Sequence, residues 1–282
     1  MRALLPLLFG LVASCSAPTP TQRQQIQAPT IVSSNPCIDA ILVELVEPAR
    51  ILSISHYSQS IGASSMNIEL ARRFPSNGGT AEEIIALRPD IVLLGSHTSQ
   101  ATIAALRRAG IEPILISVPN NIAESLEQID QIAIAVGGED GGSALKSRIE
   151  KSLDAAPTES QRPRALIWQA GGLVPGNGTL IDDILSKAGF DNASADYGLA
   201  MWDILPLEPV ASNPPDMVFS PTSAKSGEHR NIALRQQFFS QFGDEVALAD
   251  IPENLLHCGG PTIIRAMNIL KRSKLDMRGD DS

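Results

Sequence analysis

The chain has 282 residues, of which 43% are hydrophobic and 19% charged, and its formal net charge is −9. A chain of this length and apolar content can bury the cores of two ordinary domains, and its composition excludes a largely disordered protein. The acidic balance, with no run of Lys or Arg, excludes a protein that binds a nucleic-acid backbone.

The first 17 residues have the pattern of a signal peptide. Arg2 provides a positive charge ahead of an apolar stretch that is too short to span a bilayer. The sequence Val12-Ala13-Ser14-Cys15 resembles a bacterial lipobox, in which Cys15 is lipidated and becomes the first mature residue. Cleavage after Ala17 without a lipid is the alternative. Both interpretations predict export to the periplasm, and the first adds a membrane anchor at Cys15.

Residues 18–29 are rich in Pro, Thr and Gln and predict a flexible tether. From Thr30 onward, short apolar segments alternate with helical periodicity. We predict an N-terminal lobe over residues 30–137, with strands at 30–33, 50–55, 91–95 and 113–117. Strands joined by helices favour a parallel sheet covered on both faces, with ligands at the carboxyl ends of the strands.

Two helical stretches follow at residues 121–136 and 139–155, with no strand between them. A second α/β series then begins at Arg164. We predict a connecting helix at 138–160, a C-terminal lobe at 161–273 and a tail at 274–282. A single helical connection resists bending, so we expect little motion between the lobes on ligand binding.

One short pattern occurs in both lobes. Glu82 is followed seven residues later by Pro89-Asp90 and an apolar strand, and Glu208 is followed at the same distance by Pro215-Asp216 and another strand. The recurrence indicates two related lobes, each with an acidic helix on its outer face.

Three features carry a resemblance to a known family: Ile31-Val32-Ser33-Ser34-Asn35-Pro36-Cys37, the phrase Ala81-Glu82-Glu83-Ile84-Ile85-Ala86-Leu87-Arg88-Pro89-Asp90-Ile91-Val92, and Trp202 six residues before Glu208. Together they resemble the substrate-binding proteins of ABC importers for vitamin B12, iron-siderophores and haem, from about Thr30 to Lys271. The resemblance implies an α/β fold of two lobes, each a mainly parallel sheet flanked by helices, joined by a single long helix.

The resemblance also implies a function and partners. The protein would be a monomer that delivers a cobalt or iron chelate to a permease dimer, without a cofactor of its own.

In that family one glutamate of each lobe pairs with permease arginines, and the matching positions are Glu82 and Glu208. The alternative is local: Thr80 and Glu83 form a capping box, and Glu208 precedes Pro209, which suits a helix start. We assign Glu83 to the cap and expect Glu82 to face outward.

The predicted ligand-binding residues lie in loops that follow strands or precede helices: Asn35, Cys37, His56, Tyr57, His97, Trp202, His257 and Cys258. The resemblance places Tyr57 and Trp202 where B12-binding relatives have aromatic walls, and such rings suit a flat macrocycle. Core packing is the alternative for Trp202. B12-binding relatives carry charged residues in the loop of His257 and Cys258, so this departure leaves the chelate open between a corrinoid and a ferric siderophore, with haem as an alternative.

The histidines allow a different site. His56, His97 and His257 all fall on the presumed cleft side, and neutral imidazole binds zinc, iron and cobalt. Three converging rings could bind a free metal ion, whereas isolated polar loop residues are the alternative.

Cys37 and Cys258 each stand near the start of a predicted helix, one in each lobe. A helix N-terminus lowers the pKa of a thiol. Free buried thiols, a disulfide and soft metal ligation all fit. A disulfide between them would tie the lobes together.

Two other classes of protein are alternatives to a binding protein. The sequence has no Gly-x-Ser-x-Gly elbow, Walker loop or Gly-x-Gly-x-x-Gly fingerprint, and Asp182-Asp183 are consecutive helical residues that point in different directions. We therefore predict that the protein is not an enzyme. A lipoprotein that presents a ligand to a partner other than a permease remains the third class.

Overall fold

The computed structural model describes residues 28–154, 162–221 and 237–277. The predicted signal peptide with Cys15, most of the tether and the end of the tail lie outside these residues. Within the described part, no helix combines the length and the apolar character that crossing a membrane requires.

The N-terminal lobe is built on a five-stranded parallel sheet with the order β3-β2-β1-β4-β5. Its strands are β1 Ile31–Ser33, β2 Ile51–Ser55, β3 Ser76–Asn77, β4 Ile91–Gly95 and β5 Ile114–Ile116. The helices are α1 Pro36–Leu45, α2 Ile68–Ala71, α3 Ala81–Leu87, α4 Gln100–Arg108 and α5 Ile122–Val136. All four strands predicted in this lobe are present, and β3 adds a fifth.

The C-terminal lobe contains a four-stranded parallel sheet with the order β11-β10-β6-β8, and an antiparallel pair, β7-β9. Its strands are β6 Arg164–Ile167, β7 Leu173–Pro175, β8 Asp191–Asn192, β9 Trp202–Ile204, β10 Met217–Ser220 and β11 Ala247–Asp250. The helices are α7 Leu180–Lys187, α8 Leu207–Ser212 and the last helix, α9 Pro261–Asp276. The α/β fold with helix-flanked parallel sheets is confirmed.

The two parallel sheets have corresponding strand orders, β2-β1-β4-β5 and β8-β6-β10-β11. The repeated Pro-Asp has the same role in each. The carboxylate of Asp90 accepts a hydrogen bond from the Thr30 N–H at 2.7 Å, and that of Asp216 accepts one from the Arg164 N–H at 2.6 Å. Each aspartate thus satisfies a backbone donor where the neighbouring strand begins. The sequence repeat therefore reflects a structural repeat.

Helix α6, Glu139–Leu153, lies between the two lobes. It accounts for most of the connecting helix predicted at 138–160, and residues 155–161 lie outside the described part. It packs against α1 and α5 of the N-terminal lobe and against α9. On the α9 side, Lys271 Nζ donates hydrogen bonds to the carbonyl oxygens of Ser152 and Asp154 at 2.8 Å each, which satisfies the C-terminal end of α6.

Glycines bring α6 very close to the N-terminal lobe. A Cβ on Gly141 would lie 2.8 Å from the Cα of Leu45, and a Cβ on Gly142 would lie 2.8 Å from the Cβ of Ala133. The same apolar core continues through α6 and α9 into the C-terminal lobe, so that Ile41, Ile149, Met267 and Phe219 belong to one buried cluster. The lobes are therefore joined by a packed core as well as by the chain.

Replacement of Gly141 by alanine tests this close contact. Alanine is favoured over glycine in a helix interior by about 1 kcal/mol. Here the new methyl group meets backbone atoms of α1, so we expect overpacking to prevail and the free energy of unfolding to fall by about 1–3 kcal/mol. Urea unfolding measures the change. Ser143→Ala, on an exposed position of the same helix, is the matched control; a stabilised Gly141→Ala protein would contradict the close contact.

Candidate functional site

A cavity opens between the lobes at the carboxyl ends of the strands. The N-terminal lobe contributes the segments after β1 and β5, and the C-terminal lobe contributes the start of α7, the β9 region and the segment before α9. It is lined by Asn35, Cys37, Ile38, Ile116, Ser117, Val118, Pro119, Asn120, Gln128, Thr179, Leu180, Ile181, Met201, Trp202, Leu256, His257 and Gly259. The site is at the edge of the sheets that the strand pattern predicted.

The lining is neutral. None of the residues named above is Lys, Arg, Asp or Glu, and His257 is the one histidine among them. Hydroxyl and amide groups provide the polar contacts. Asn35 illustrates how these groups are held: its Oδ1 accepts hydrogen bonds from the backbone N–H groups of Cys37 and Ile38 at 2.9 and 3.3 Å, which caps α1. Its amide nitrogen is left to donate a hydrogen bond.

Trp202 lies on the wall of this cavity and is 41% exposed, so it does not belong to the core. Val118 and Met201, which also line the cavity, are each 51% exposed. Trp168, in contrast, is buried and packs edge-to-face on Phe239 with ring centroids 5.7 Å apart. The cavity therefore has accessible apolar and aromatic surface, with Trp202 and Met201 on the C-terminal lobe and Val118 on the N-terminal lobe.

Tyr57 and His56 follow β2 and are both exposed, with ring centroids 4.0 Å apart. Neither is among the residues that line the cavity. The loop that carries them is fixed from below by Asp39, whose Oδ2 accepts hydrogen bonds from the Ser55 N–H at 2.8 Å and the Ser58 hydroxyl at 2.7 Å. Burial raises the pKa of the Asp39 carboxyl to about 6, and the hydrogen bonds from Ser58 and Ser55 partly oppose this shift.

No pattern in the sequence indicates this role for Asp39. An acidic residue in the first turns of a helix ordinarily interacts with the helix dipole in solvent. The partners of Asp39 lie 16 and 19 residues further along the chain, in a turn whose position depends on the sheet. Only the packed structure shows that the carboxyl points inward.

The three histidines proposed as a metal site are not brought together. His257 lines the cavity, whereas the Nδ1 of His56 lies 3.2 Å from the carbonyl oxygen of Asn77 and His97 is an exposed residue after β4. Across the described residues, which include all three histidines, no group of three or more His, Cys, Asp or Glu side chains could hold a metal ion. The geometry therefore does not support a joint site of His56, His97 and His257.

Cys37 and Cys258 form a disulfide with an S–S distance of 2.04 Å. The interpretations as free thiols or metal ligands are therefore wrong for this structure. Cys37 is half-buried and lines the cavity, whereas Cys258 is buried and is not among the lining residues. The bond links α1 of the N-terminal lobe to the segment between β11 and α9, which contributes Leu256, His257 and Gly259 to the lining.

Glu82 and Glu208 occupy equivalent positions, each the second residue of a helix, α3 or α8, and both are exposed. The neighbouring Glu83 forms the predicted capping box: its Oε2 accepts hydrogen bonds from the N–H groups of Gly78 and Thr80, while the Thr80 hydroxyl accepts one from the Glu83 N–H at 3.3 Å. The Gly78 N–H is the largest cause that lowers the pKa of Glu83. Glu83 thus caps the helix, while the adjacent Glu82 is exposed.

Residues 31–242 match the sequence pattern of a family described as periplasmic binding proteins, and the chain belongs to this family. A cobalamin-binding protein of Halobacterium salinarum is 26% identical over 200 residues, which are 69% of this chain and 54% of the relative. The chain therefore spans about half the length of the curated relatives it matches.

Solved structures show the same fold. The periplasmic haem-binding protein RhuT from Roseiflexus sp. RS-1 is 21% identical, with a TM-score of 0.71 over 89% of this chain and 99% of that one. The haem-binding protein HutB of Vibrio cholerae has a TM-score of 0.73 at 18% identity, over 86% and 98% of the two chains. The vitamin B12 binding protein BtuF of Vibrio cholerae has a TM-score of 0.67 at 17% identity, over 90% and 99%.

Asp39 gives the stability a pH dependence that can be measured. The folded protein holds a proton on Asp39 up to about pH 6, whereas the unfolded chain releases it near 3.8. The contribution of this group is therefore complete below about pH 4 and is lost as the pH rises through 6, a change of roughly 3 kcal/mol.

The test is the Asp39→Asn variant, which cannot ionise at this position. We expect its stability relative to the unsubstituted protein to improve by roughly 3 kcal/mol between pH 4 and pH 7, measured by urea unfolding at several pH values. Asp140→Asn, at an exposed position of α6, is the surface control. A difference that does not vary with pH would contradict the raised pKa of Asp39.

Proposed function

We propose that this chain is the substrate-binding component of an ABC importer and that its ligand is a corrinoid such as cobalamin. The observation that carries the proposal is the neutral cleft between the lobes, with an accessible tryptophan on its wall. The curated cobalamin-binding relative supports the same ligand class.

The chemistry of the ligand edge distinguishes the candidate chelates. A corrin ring is fringed by neutral carboxamides, which exchange hydrogen bonds with hydroxyl, amide and backbone groups. Haem carries two carboxylates, and a ferric tris-catecholate carries net negative charge; burying such charges without a cationic partner is costly. The lining residues provide the side-chain amides of Asn35 and Asn120 but no Lys or Arg. These groups match an amide-fringed ligand.

The apolar part of the ligand has matching surfaces. Trp202, Met201 and Val118 present exposed apolar surface from both lobes, and a flat conjugated ring stacks favourably on an indole. The enclosed part of the cavity is only about 100 Å³, smaller than any macrocycle. A corrinoid would therefore bind mainly across the open mouth, and the exposed Tyr57 would provide a second ring there.

Haem is the second candidate, and one feature favours it. The exposed Tyr57 and His56 side chains offer a phenol oxygen and an imidazole nitrogen next to each other, and both are known types of axial ligand for haem iron. Several solved structures with this fold are haem-binding proteins by name.

The remaining parts of the proposal rest on the sequence. The signal peptide would be residues 1–17, with lipidation of Cys15 anchoring the protein in the periplasm and residues 18–29 acting as a tether. Residues 30–137 and 161–273 would form the lobes and 138–160 the connection. Glu82 and Glu208 would contact arginines of an inner-membrane permease dimer. The protein would act as a monomer without catalysing a reaction.

Ligand identity can be tested by titrating the purified protein with cyanocobalamin and, separately, with haemin, following the visible absorbance of each. We expect cyanocobalamin to bind, and Trp202→Ala to weaken this binding about tenfold through loss of the stacking surface. Trp202→Phe, which keeps a ring, should lose less. Binding of haemin alone would favour the haem alternative, and binding of neither would reject both.

Docking can be tested by charge reversal of Glu82→Lys and Glu208→Lys. Each exposed ion pair contributes little, but two at a fixed separation act together. We expect the double variant to lose most ligand-dependent stimulation of the cognate transporter in membrane vesicles while its affinity for the ligand stays unchanged. The matched control is Glu150→Lys, an exposed glutamate on α6. Full stimulation by the double variant would point to a partner other than a permease.

A further inference from the structure

The segment between β11 and α9 is held to the N-terminal lobe at several points. The side-chain amide of Asn254 donates a hydrogen bond to the carbonyl oxygen of Ser64 at 2.8 Å, and the N–H of Gly260 donates one to the hydroxyl of Ser125 at 2.8 Å. The Cys37–Cys258 disulfide is the covalent link among these contacts. The position of this segment, which contributes Leu256, His257 and Gly259 to the cavity, thus depends on the disulfide.

The two sulfur atoms are in different environments. Cys37 is half-buried and lines the cavity, so a thiol that enters the cleft can approach it. Cys258 is only 3% exposed. The hydroxyl of Ser65, itself buried, donates a hydrogen bond to the Sγ of Cys258 at 2.9 Å. Cys37 Sγ has no equivalent donor; it lies 3.7 Å from the carbonyl oxygen of His257, which cannot donate.

This asymmetry matters for thiol–disulfide exchange. The attacked sulfur must be accessible, and the other sulfur must leave as a thiolate, which is easier when its negative charge is stabilised. Accessibility selects Cys37 for attack, and the Ser65 hydroxyl stabilises Cys258 as the leaving thiolate. Both conditions therefore select the same direction of exchange.

We propose that the Cys37–Cys258 disulfide is a thiol–disulfide exchange site that opens in one direction. When a dithiol reduces it, the segment between β11 and α9, which lines part of the cavity, becomes less firmly held. A thiolate of the dithiol forms a bond to Cys37 Sγ, the Cys37–Cys258 bond breaks, and Cys258 leaves as a thiolate and takes up a proton. The second thiol of the dithiol then displaces Cys37. The protein disulfide gains two electrons and two protons, and the dithiol becomes a disulfide.

Opening removes the covalent link and leaves the segment held to the N-terminal lobe by hydrogen bonds, each of which contributes modestly, and by the packing of its buried Leu255 and Leu256 side chains in the shared core. The residues that form one side of the cavity then fluctuate more, and the grip on any ligand weakens. This inference does not depend on which ligand the cleft binds.

The direction of exchange is tested with glutathione as the attacking thiol and N-ethylmaleimide as the trap for the released thiol, using the unsubstituted protein. Peptide mass spectrometry should find glutathione on Cys37 and maleimide on Cys258. The opposite placement would overturn the proposal, and so would maleimide on both cysteines before any thiol is added.

The role of Ser65 is tested by the rate of exchange. Ser65→Ala should slow the glutathione reaction on the order of tenfold, because the leaving thiolate loses its hydrogen bond. Ser143→Ala, at an exposed serine on α6, should react at the unsubstituted rate. An unchanged rate in Ser65→Ala would overturn the leaving-group assignment. If Ser65→Ala fails to fold, the mass-spectrometric result alone decides.

The structural consequence is tested by amide hydrogen exchange of the oxidised and reduced protein. Reduction should speed exchange in residues 253–260 on the order of tenfold while leaving β1 and β4 unchanged. If the amides of this segment exchange equally slowly in the two states, the disulfide does not hold the segment in place.

Discussion

The contact between α1 and α6 is the constraint on which the rest of the structure depends. At Gly141 the backbones of the two helices approach so closely that a Cβ on this residue would clash with Leu45 of α1. Since close-packed interiors have discrete arrangements and little compressibility, this contact fixes α6 on the N-terminal lobe. Helix α9 and the shared core then fix the C-terminal lobe on α6. The width of the cleft is thus determined at a point remote from it.

The same helix α1 also organises the site at its other end. Within five residues, Asn35 caps the helix and lines the cavity, Cys37 bonds to the segment between β11 and α9, and Asp39 holds the turn that carries Tyr57. Each of these contacts uses a different chemistry, and all depend on the position of one rigid element. A displacement of α1 would therefore change the cleft lining, the link between the lobes and the Tyr57 turn at once.

The sequence predicted the elements with strong periodicity. The four apolar strands of the N-terminal lobe, α5, α6 and the capping box of Thr80 and Glu83 are confirmed. It missed β3 and β8, which are two residues long, and the antiparallel pair β7 and β9, which have three residues each. Strands of two or three residues are too short to show the alternation of apolar and polar residues that identifies a strand. Their existence depends on neighbours that the linear pattern does not contain.

Site prediction had the same limit. Asn35 and His257 were expected at the cleft because each lies shortly before or at the start of a helix, and Trp202 because the resemblance implies an aromatic wall there. All three line the cavity. Position along the chain could not show that His97 lies outside this lining or that Cys37 meets Cys258 over a separation of 221 residues. Asp39 and Ser65 were missed because an inward orientation of a polar side chain depends on packing.

The distribution of charge on the protein also favours some ligand classes over others. The chain carries a formal charge of −9, and Glu82 and Glu208 are exposed on the outer helices, whereas the described lining of the cleft contains no Lys, Arg, Asp or Glu. An acidic surface repels anionic chelates at long range, and the lining would leave their charges without a partner once they were bound. A chelate whose edge is made of amides meets neither barrier. Discrimination between chelates would then come from what the cleft lacks, a cation, as much as from the groups it provides.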